Sequence, residues 1–294
     1  IPVDLMRLGR PIEVDELRRY VTDKLRVLGF RRRVRISMSI SRSDGVEFSV
    51  EFQDDGLGRL VIIPLSIRFR WFIEKAINYL GPEIRHVVTV LMMENEEALN
   101  SIQTFINAVR DPELLNTVGR EPVSRAVDLA YSLRDSGFFD AVINANGQEV
   151  DISVFSPLRA LRNNVAIFDL HELPTPLIDI YEAVLIEDIV RWFMGSDGGR
   201  AVVIVDNAEG LMGSRKVLNS LINSIRIGRH HGISFIVATR SFSGRLHREF
   251  GNFVIMRMGR PVNLSCPEHV NLLNNEFILI SPMLNVNCIR GSMA

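Results

Sequence analysis

The sequence predicts an α/β protein in which a parallel sheet with helices on both faces is preceded by a smaller α/β domain of order αβββαβα. Continuously apolar runs such as Ala201–Val205 are typical of strands that are covered on both faces of a sheet. Long amphipathic stretches separate these runs, as crossovers between parallel strands require. Near the N-terminus, strictly alternating runs at residues 34–40 and 46–52 flank Ser43-Asp44-Gly45 and indicate an antiparallel hairpin instead.

Residues 1–110 are predicted to form the first domain. Apolar residues at helical spacing predict a helix over residues 13–28, which Gly29 ends. The alternating hairpin and a continuously apolar run at residues 60–65 supply three strands. The last three elements, a helix, a strand and a helix, are predicted over residues 71–80, 87–92 and 96–109.

Residues 111–294 are predicted to form the second domain, in which strands and helices alternate. The predicted strands cover residues 114–118, 139–143, 165–170, 201–205, 233–238 and 253–256. The predicted helices run through Val127, Ala130 and Leu133 and over residues 177–193 and 216–227. Because ligands of such sheets bind at the carboxyl ends of the strands, we expect any site to lie in the loops that follow them.

The composition is that of an ordinary globular protein, with 47% hydrophobic residues, 23% charged residues and a net charge of -1. No apolar run approaches the ~20 residues that a spanning helix needs, so we expect a soluble, cytoplasmic protein without a membrane span. The near-neutral charge excludes a globally basic nucleic-acid surface but leaves room for a local one. Basic charge comes almost wholly from arginine, a bias that fits a thermophilic source.

The sequence predicts no metal site. Cys266 and Cys288, the only two cysteines, are too few for a disulfide framework and lack neighbours at zinc spacing. The pair His230 and His231 has no carboxylate or cysteine at the spacing of metal ligands.

The most informative motifs lie within residues 206–260. One apolar run ends in Asp206-Asn207-Ala208-Glu209, a predicted helix ends in Gly228-Arg229, and the next apolar run ends in Ala238-Thr239-Arg240. In order and spacing these resemble the D-E-A-H, G-R and A-T-Q motifs of the HerA family, DNA-translocating ATPases related to FtsK. The resemblance covers about residues 113–260 and implies a RecA-like sheet, the fold of P-loop NTPases.

A phosphate loop of that family needs G-x-x-x-x-G-K-[ST], in which backbone N–H groups and the lysine hold phosphates and the hydroxyl holds magnesium. The matching segment here reads GREPVSRA. Gly119 keeps the first glycine, whereas Ser124, Arg125 and Ala126 replace the second glycine, the lysine and the hydroxyl residue. Glu121 adds negative charge where a triphosphate would lie. We therefore expect no cofactor, with ATP and magnesium as the open alternative.

The hydrolytic residues are altered as well. Asp206 keeps the acid that would hold magnesium-bound water, while Asn207 replaces the glutamate that would activate the attacking water. Glu209 lies at the family's histidine and is a candidate substitute for the base. Arg240 replaces the glutamine of A-T-Q. The resemblance thus implies a nucleotide site in which phosphate loop, catalytic acid and sensor have all changed.

Arg226 and Arg229 lie where translocases present charge to a neighbouring subunit's nucleotide. A basic helix C-terminus is also expected from the helix dipole, so both interpretations stay open. Because RecA-like domains associate side by side, the resemblance implies a homo-oligomer or a related ATPase subunit as partner.

The first domain has the element order of restriction-endonuclease-like nucleases. Candidate acids for the second strand are Glu47, Glu51, Asp54 and Asp55. The third strand has neither an acid nor a lysine, so we predict that the domain is not catalytic. Candidate phosphate contacts for DNA are Arg31, Arg32, Arg33 and Arg35, which a solvated turn would explain equally.

Together these patterns favour a catalytically inactive HerA-like ATPase homologue that acts as a scaffold or regulatory subunit in a DNA-processing or translocation complex. Two alternatives stay open. One is an active DNA-dependent ATPase that uses Asp206, Glu209 and Arg125. The other is a DNA-binding module that works through the arginines of residues 31–35.

Overall fold

A computed structural model describes residues 11–27, 34–41, 45–52, 59–62, 66–145, 147–151, 165–170, 173, 175–195, 200–240, 244–256, 272, 276–281 and 286–292. The chain divides into two compact units, Ile1–Leu185 and Ile186–Ala294. Both combine helices with small sheets of two or three strands, so the predicted α/β class is confirmed. The predicted boundary after residue 110 falls inside the first unit and stays a prediction. None of the described helices combines the length and apolar character needed to cross a membrane.

The first unit contains most of the helices. In chain order they are α1 (Val14–Val27), α2 (Phe69–Ala76), α3 (Pro82–Glu94), α4 (Ile102–Val109), α5 (Pro112–Val118), α6 (Arg120–Asp135) and α7 (Thr175–Met194), which continues past the unit's last residue. A short 3-10 helix, Glu96–Leu99, precedes α4. The strands are β1 (Ile12–Glu13), β2 (Val34–Ser41), β3 (Gly45–Phe52), β4 (Arg59–Ile62), β5 (Val142–Ala145) and β6 (Gln148–Asp151).

The strands of the first unit form two small sheets. β2, β3 and β4 form an antiparallel sheet in which Val34 is opposite Phe52, which confirms the predicted hairpin. In the other sheet β5 pairs with β1 in parallel and with β6 in antiparallel orientation. The aromatic core includes Phe69, whose ring lies 5.1 Å from that of Phe105 and 5.8 Å from that of Phe139.

Asp140 connects two helices in this core. Its carboxylate accepts hydrogen bonds from the backbone N–H of Phe69 at 3.1 Å and of Ile102 at 2.9 Å, the first residues of α2 and α4. These donors have no partner within their own helices, so the carboxylate satisfies one at each N-terminus. Burial raises the pKa of Asp140, against the lowering effect of the two hydrogen bonds. Its backbone is left-handed, with φ 51°.

The second unit is built around a β–α–β arrangement. Its elements after α7 are β7 (Ala201–Val205), α8 (Glu209–Gly213), α9 (Arg215–His230), β8 (Ile233–Val237), α10 (Gly244–His247), β9 (Phe253–Met256), β10 (Glu276–Ser281) and β11 (Val286–Ser292). β7 and β8 pair in parallel, with Val205 opposite Val237. β9, β10 and β11 form a separate antiparallel sheet.

Helix α9 packs closely on β8 because of a glycine. A Cβ atom at Gly228 would lie 2.8 Å from the ring of Phe235 and 3.3 Å from Cβ of Ile233, which is closer than real Cβ contacts allow without displacement. The buried apolar stripe of α9 includes Val217, Leu221 and Ile225. The amphipathic pattern that predicted this helix is therefore its packing face.

Three predicted strands are wrong. Residues 87–92 lie in α3 and residues 114–118 in α5, so the order αβββαβα fails from its sixth element. Both helices have proline at the start, and the Asp111 side chain caps α5 by accepting from the Glu113 N–H at 2.9 Å. These start signals outweigh the β-branched residues that followed. Residues 165–170 adopt no regular secondary structure.

The parallel sheet is smaller than predicted in the described part of the chain. The β7–β8 pair is covered by α9 on one face only. On its other face Val202, Ile204 and Ile236 are 61%, 67% and 53% exposed. The prediction of helices on both faces is therefore wrong for this pair.

Candidate functional site

The segment predicted to replace a phosphate loop is a junction between two helices. α5 ends at Gly119, whose φ is 93°, and α6 begins at the next residue. The N–H of Val123 donates to the carbonyl of Gly119 at 3.4 Å, as in an ordinary first helical turn. Ser124 is exposed, whereas Ala126 is fully buried in the packing face of α6. A phosphate loop turns successive N–H groups toward a ligand, and residues 119–126 do not have that conformation.

The side chain of Arg125 forms an ion pair with a carboxylate of the same helix. Its Nη2 lies 3.0 Å from Oε1 of Glu121, one helical turn earlier, and both side chains are exposed. The hydrogen bond that Arg125 donates to Glu121, and then the charge of Glu83, raise the pKa of the arginine. Exposed pairs of this kind contribute little to stability. Arg125, predicted to stand in place of a phosphate-binding lysine, therefore forms an ordinary surface pair on α6.

The carboxyl ends of β7 and β8 bring together other predicted residues. Asp206 and Glu209 follow β7, and Arg240 follows β8. The two loops are joined by hydrogen bonds from the Ala238 N–H to the Val205 carbonyl at 2.8 Å and from the Ala208 N–H to the Ala238 carbonyl at 3.1 Å. This juxtaposition follows from the parallel pairing, since the ends of parallel strands lie at one edge.

Asn207 has a conformational role that the sequence pattern did not reveal. Its φ is 59°, in the left-handed region, which asparagine enters more readily than most residues. Its N–H donates to Oδ1 of Asp206 at 2.9 Å, and both side chains are exposed. Asn207 is thus suited to the tight turn that follows β7.

Glu209 holds the two loops together. It is the first residue of α8, and its Oε1 accepts a hydrogen bond from the backbone N–H of Arg240. That hydrogen bond is the largest cause of a lowered pKa for Glu209. Its Oε2 is buried and has no hydrogen-bond partner among the described residues. A general base needs an oxygen that reaches the attacking water, so this carboxylate is poorly placed for the role of the base.

Arg226 forms a two-point ion pair within the second unit. Its Nη2 and Nε lie 2.6 Å and 3.0 Å from the two carboxylate oxygens of Glu249, whose side chain is only 9% exposed. Arg226, and more weakly Arg229, lower the pKa of Glu249. Arg229 is exposed in the last turn of α9. Of the two arginines predicted to act on a neighbour, Arg226 is thus engaged within the chain.

Sequence reasoning missed a polar groove beside this ion pair. It has a volume of about 390 Å³ and lies between α9 and the segment from α10 to the turn after it. Its lining residues are Asn219, Ile222, Asn223, Arg226, Arg245, Arg248 and Glu249. The signal in the sequence was weak: four of these residues share one face of α9 at helical spacing, within an otherwise amphipathic pattern.

A pair of carboxylates on α7 was also missed. Burial, and then the charge of Asp179, raise the pKa of Glu182 to about 7. Burial also raises the pKa of Asp179. Both residues lie in a helix whose neighbouring positions are mostly apolar, which drew attention to the core rather than to the acids.

Other predicted residues lie partly outside the described ranges. Arg31, Arg32, Arg33, Asp54 and Asp55 are not among the described residues. The backbones of Arg35 and Glu51 are opposite each other in β2 and β3. Within the described ranges, no three histidine, cysteine, aspartate or glutamate residues are grouped as metal ligands.

No protein-family model and no curated protein matches this chain. The likeness to the HerA family therefore stays a prediction that rests on the motifs around Asp206, Arg229 and Arg240.

Proposed function

We propose that this chain is a non-hydrolysing HerA-like protein with a RecA-like second domain. It acts as a scaffold or regulatory subunit in a complex that processes or moves DNA. Its partners are further copies of itself or a related ATPase subunit.

The observation that carries the proposal is the helix junction at residues 119–126. Binding a triphosphate at this position requires free backbone N–H groups, a lysine and a hydroxyl. Ala126 is buried in the helix packing, and Arg125 pairs with Glu121. Providing a phosphate cradle would require unwinding the start of α6, whose buried face packs against α3 and α4.

The ends of β7 and β8 support the same conclusion. Hydrolysis needs one acid for the metal and a base for water. Asp206 retains the acid, but Glu209 holds the Arg240 amide with one oxygen and has the other buried. In these contacts Glu209 and Arg240 join two loops, so their role is structural.

Exposed apolar side chains support binding to a partner protein. Ile204 and Ile236 are register partners on the β7–β8 pair, and Val202 lies on the same face of β7. Single exposed apolar residues are ordinary on protein surfaces, but neighbouring ones on paired strands form a patch of the kind that marks interfaces.

ATP turnover and ATP-induced stabilisation, each measured with magnesium and with or without DNA, test the proposal. We expect no turnover and no shift in melting temperature, because a ligand stabilises only a protein that binds it. Turnover that is lost in Glu209→Gln, or a thermal shift that is lost in Arg125→Ala, would overturn the proposal. Light scattering at several concentrations tests the scaffold role, and a chain that stays monomeric and also fails to bind a RecA-like ATPase subunit contradicts it.

A further inference from the structure

The groove between α9 and α10 has the features of a binding site, and apart from Arg226 its lining residues are not among those that resemble an ATPase. Asn219, Asn223 and Arg226 are spaced by four and three residues, so one face of α9 directs them to the same side. Arg245 lies in α10, and Arg248 follows it in the turn. The groove therefore collects side chains from two elements, and all of them belong to the second unit.

Arginines outnumber carboxylates among the described residues that line the groove. Glu249 is its one carboxylate among the lining residues, and both of its oxygens bind Arg226. Arg245 donates to a neutral acceptor, Oδ1 of Asn219, at 2.8 Å. Arg248 is exposed and has no hydrogen bond or ion pair to any residue in the described ranges. Two guanidinium groups thus face the groove without a carboxylate partner among the described residues.

We propose that this groove binds phosphate groups, with Arg245 and Arg248 as the cationic contacts and Asn223 as a neutral donor. Guanidinium groups match phosphate oxygens in charge and in fork geometry. The bond from Arg245 to Asn219 holds one of these groups in place before a ligand arrives, which lowers the entropy lost on binding.

The lining residues and the volume of the groove indicate which ligands would fit it. Ile222 is the one apolar residue among the described residues that line it, so these residues offer little surface on which a base or a ring could pack. The volume of about 390 Å³ lies in the range of small-ligand sites, which leaves room for more than one phosphate group. The groove therefore fits a chain of phosphates, which a polyphosphate or a nucleic-acid backbone provides.

The pair of Arg226 and Glu249 positions this site. Glu249 is nearly buried and anchors the turn that carries Arg248 to the face of α9. Because its carboxylate is held by Arg226, it is kept from pairing with Arg245 or Arg248. This proposal rests on the groove alone and holds whether or not the chain hydrolyses ATP.

Binding of a fluorescently labelled, mixed-sequence single-stranded oligonucleotide and of inorganic tripolyphosphate tests the proposal. Fluorescence anisotropy follows the first probe, and titration calorimetry follows the second. The double variant Arg245→Gln/Arg248→Gln removes both contacts and leaves the ion pair intact. Arg215→Gln is the matched control, because Arg215 is exposed on the same helix and does not line the groove. Circular dichroism melting checks that both variants are folded.

We expect the double variant to bind at least about tenfold more weakly, whereas the control binds as the unaltered chain does. For the oligonucleotide, the slope of log affinity against log salt should fall by ~1.4, since each contact with a single strand contributes about 0.7. Oligonucleotide binding that tripolyphosphate displaces assigns the site to a nucleic-acid backbone. Tripolyphosphate binding alone assigns it to small polyphosphates. No binding of either probe, or equal binding by the double variant and the control, would overturn the proposal.

Discussion

The carboxylate of Glu209 accepts a hydrogen bond from the backbone N–H of Arg240. This bond joins the first residue of α8 to the loop after β8, across the ends of two parallel strands. It also lowers the pKa of Glu209, so the group is charged at neutral pH. Glu209, which the sequence suggested as a substitute base, therefore connects two loops through this hydrogen bond.

Removing the hydrogen bond between Glu209 and Arg240 should destabilise the folded chain. We expect Glu209→Ala to lower the free energy of unfolding by about 1.5 kcal/mol, because a hydrogen bond to a charged acceptor is lost. Glu209→Gln keeps an acceptor oxygen and should lose less. Urea denaturation at neutral pH measures both values, and an Ala variant as stable as the unaltered chain would contradict the structural role.

Asp140 should be more sensitive to substitution than its position in a turn suggests. We expect Asp140→Asn to cost about 1–3 kcal/mol, since an amide has one acceptor oxygen and leaves either Phe69 N–H or Ile102 N–H without a partner. Asparagine tolerates the left-handed backbone, so the variant isolates the side-chain effect. Chemical denaturation gives the value, and a cost near zero would argue against the double cap.

Glu182 should make stability depend on pH. Its pKa is raised from 4.5 to about 7 in the folded chain, so the folded state binds more protons than the unfolded state between these values. Stability should therefore fall as pH rises from 4.5 to about 7, by up to ~3 kcal/mol, and level off above that range. Glu182→Gln should flatten this part of the curve. Unfolding measured at several pH values makes the comparison, and an equal slope in both proteins would refute it.

Gly228 should not accept a side chain. We expect Gly228→Ala to destabilise the chain by about 1–3 kcal/mol, because the new methyl group would overlap the ring of Phe235. Gly213→Ala is the control, since a Cβ atom there meets nothing within 4 Å. Thermal unfolding of the two variants should separate them clearly, and equal melting temperatures would count against close packing of α9 on β8.

The exposed face of the β7–β8 pair should matter for assembly and not for folding. Ile204→Glu places a charge in the patch and should weaken self-association or partner binding about tenfold or more, equivalent to ~1.4 kcal/mol. Ile167→Glu places the same charge at another exposed isoleucine and serves as the control. Analytical ultracentrifugation with and without a partner ATPase measures the effect. Equal behaviour of the two variants would remove this face from the interface.

Local sequence patterns correctly predicted those elements in which the spacing of apolar residues matches the packing in the fold. The alternation in residues 34–52 produced a hairpin, and the apolar stripe of α9 produced a packed helix. Residues 114–118 were misread because their β-branched and leucine side chains suit a strand, while Asp111 and Pro112 before them are start signals for a helix. Residues 165–170 have the composition of a buried strand, but within the described ranges they pair with no strand.

The candidate sites also divide into one that the sequence pattern could predict and one that it could not. The meeting of Asp206, Glu209 and Arg240 was predictable, because parallel strands end at one edge of a sheet. The pair of Arg226 and Glu249 was not, since it joins residues that are 23 positions apart through the packing of α10 on α9. A groove that forms between two such elements has no contiguous motif and is seen only in three dimensions.

The left-handed backbone at Asn207 limits how this chain can change over evolutionary time. Glutamate at that position would have to adopt a conformation that costs most residues about 1–2 kcal/mol. A glutamate at position 207 would therefore be accommodated only together with strain or a new turn. A phosphate-binding conformation at residues 119–126 would also require unwinding the helix junction there, so a nucleotide site of the P-loop type would need backbone changes in two separate places.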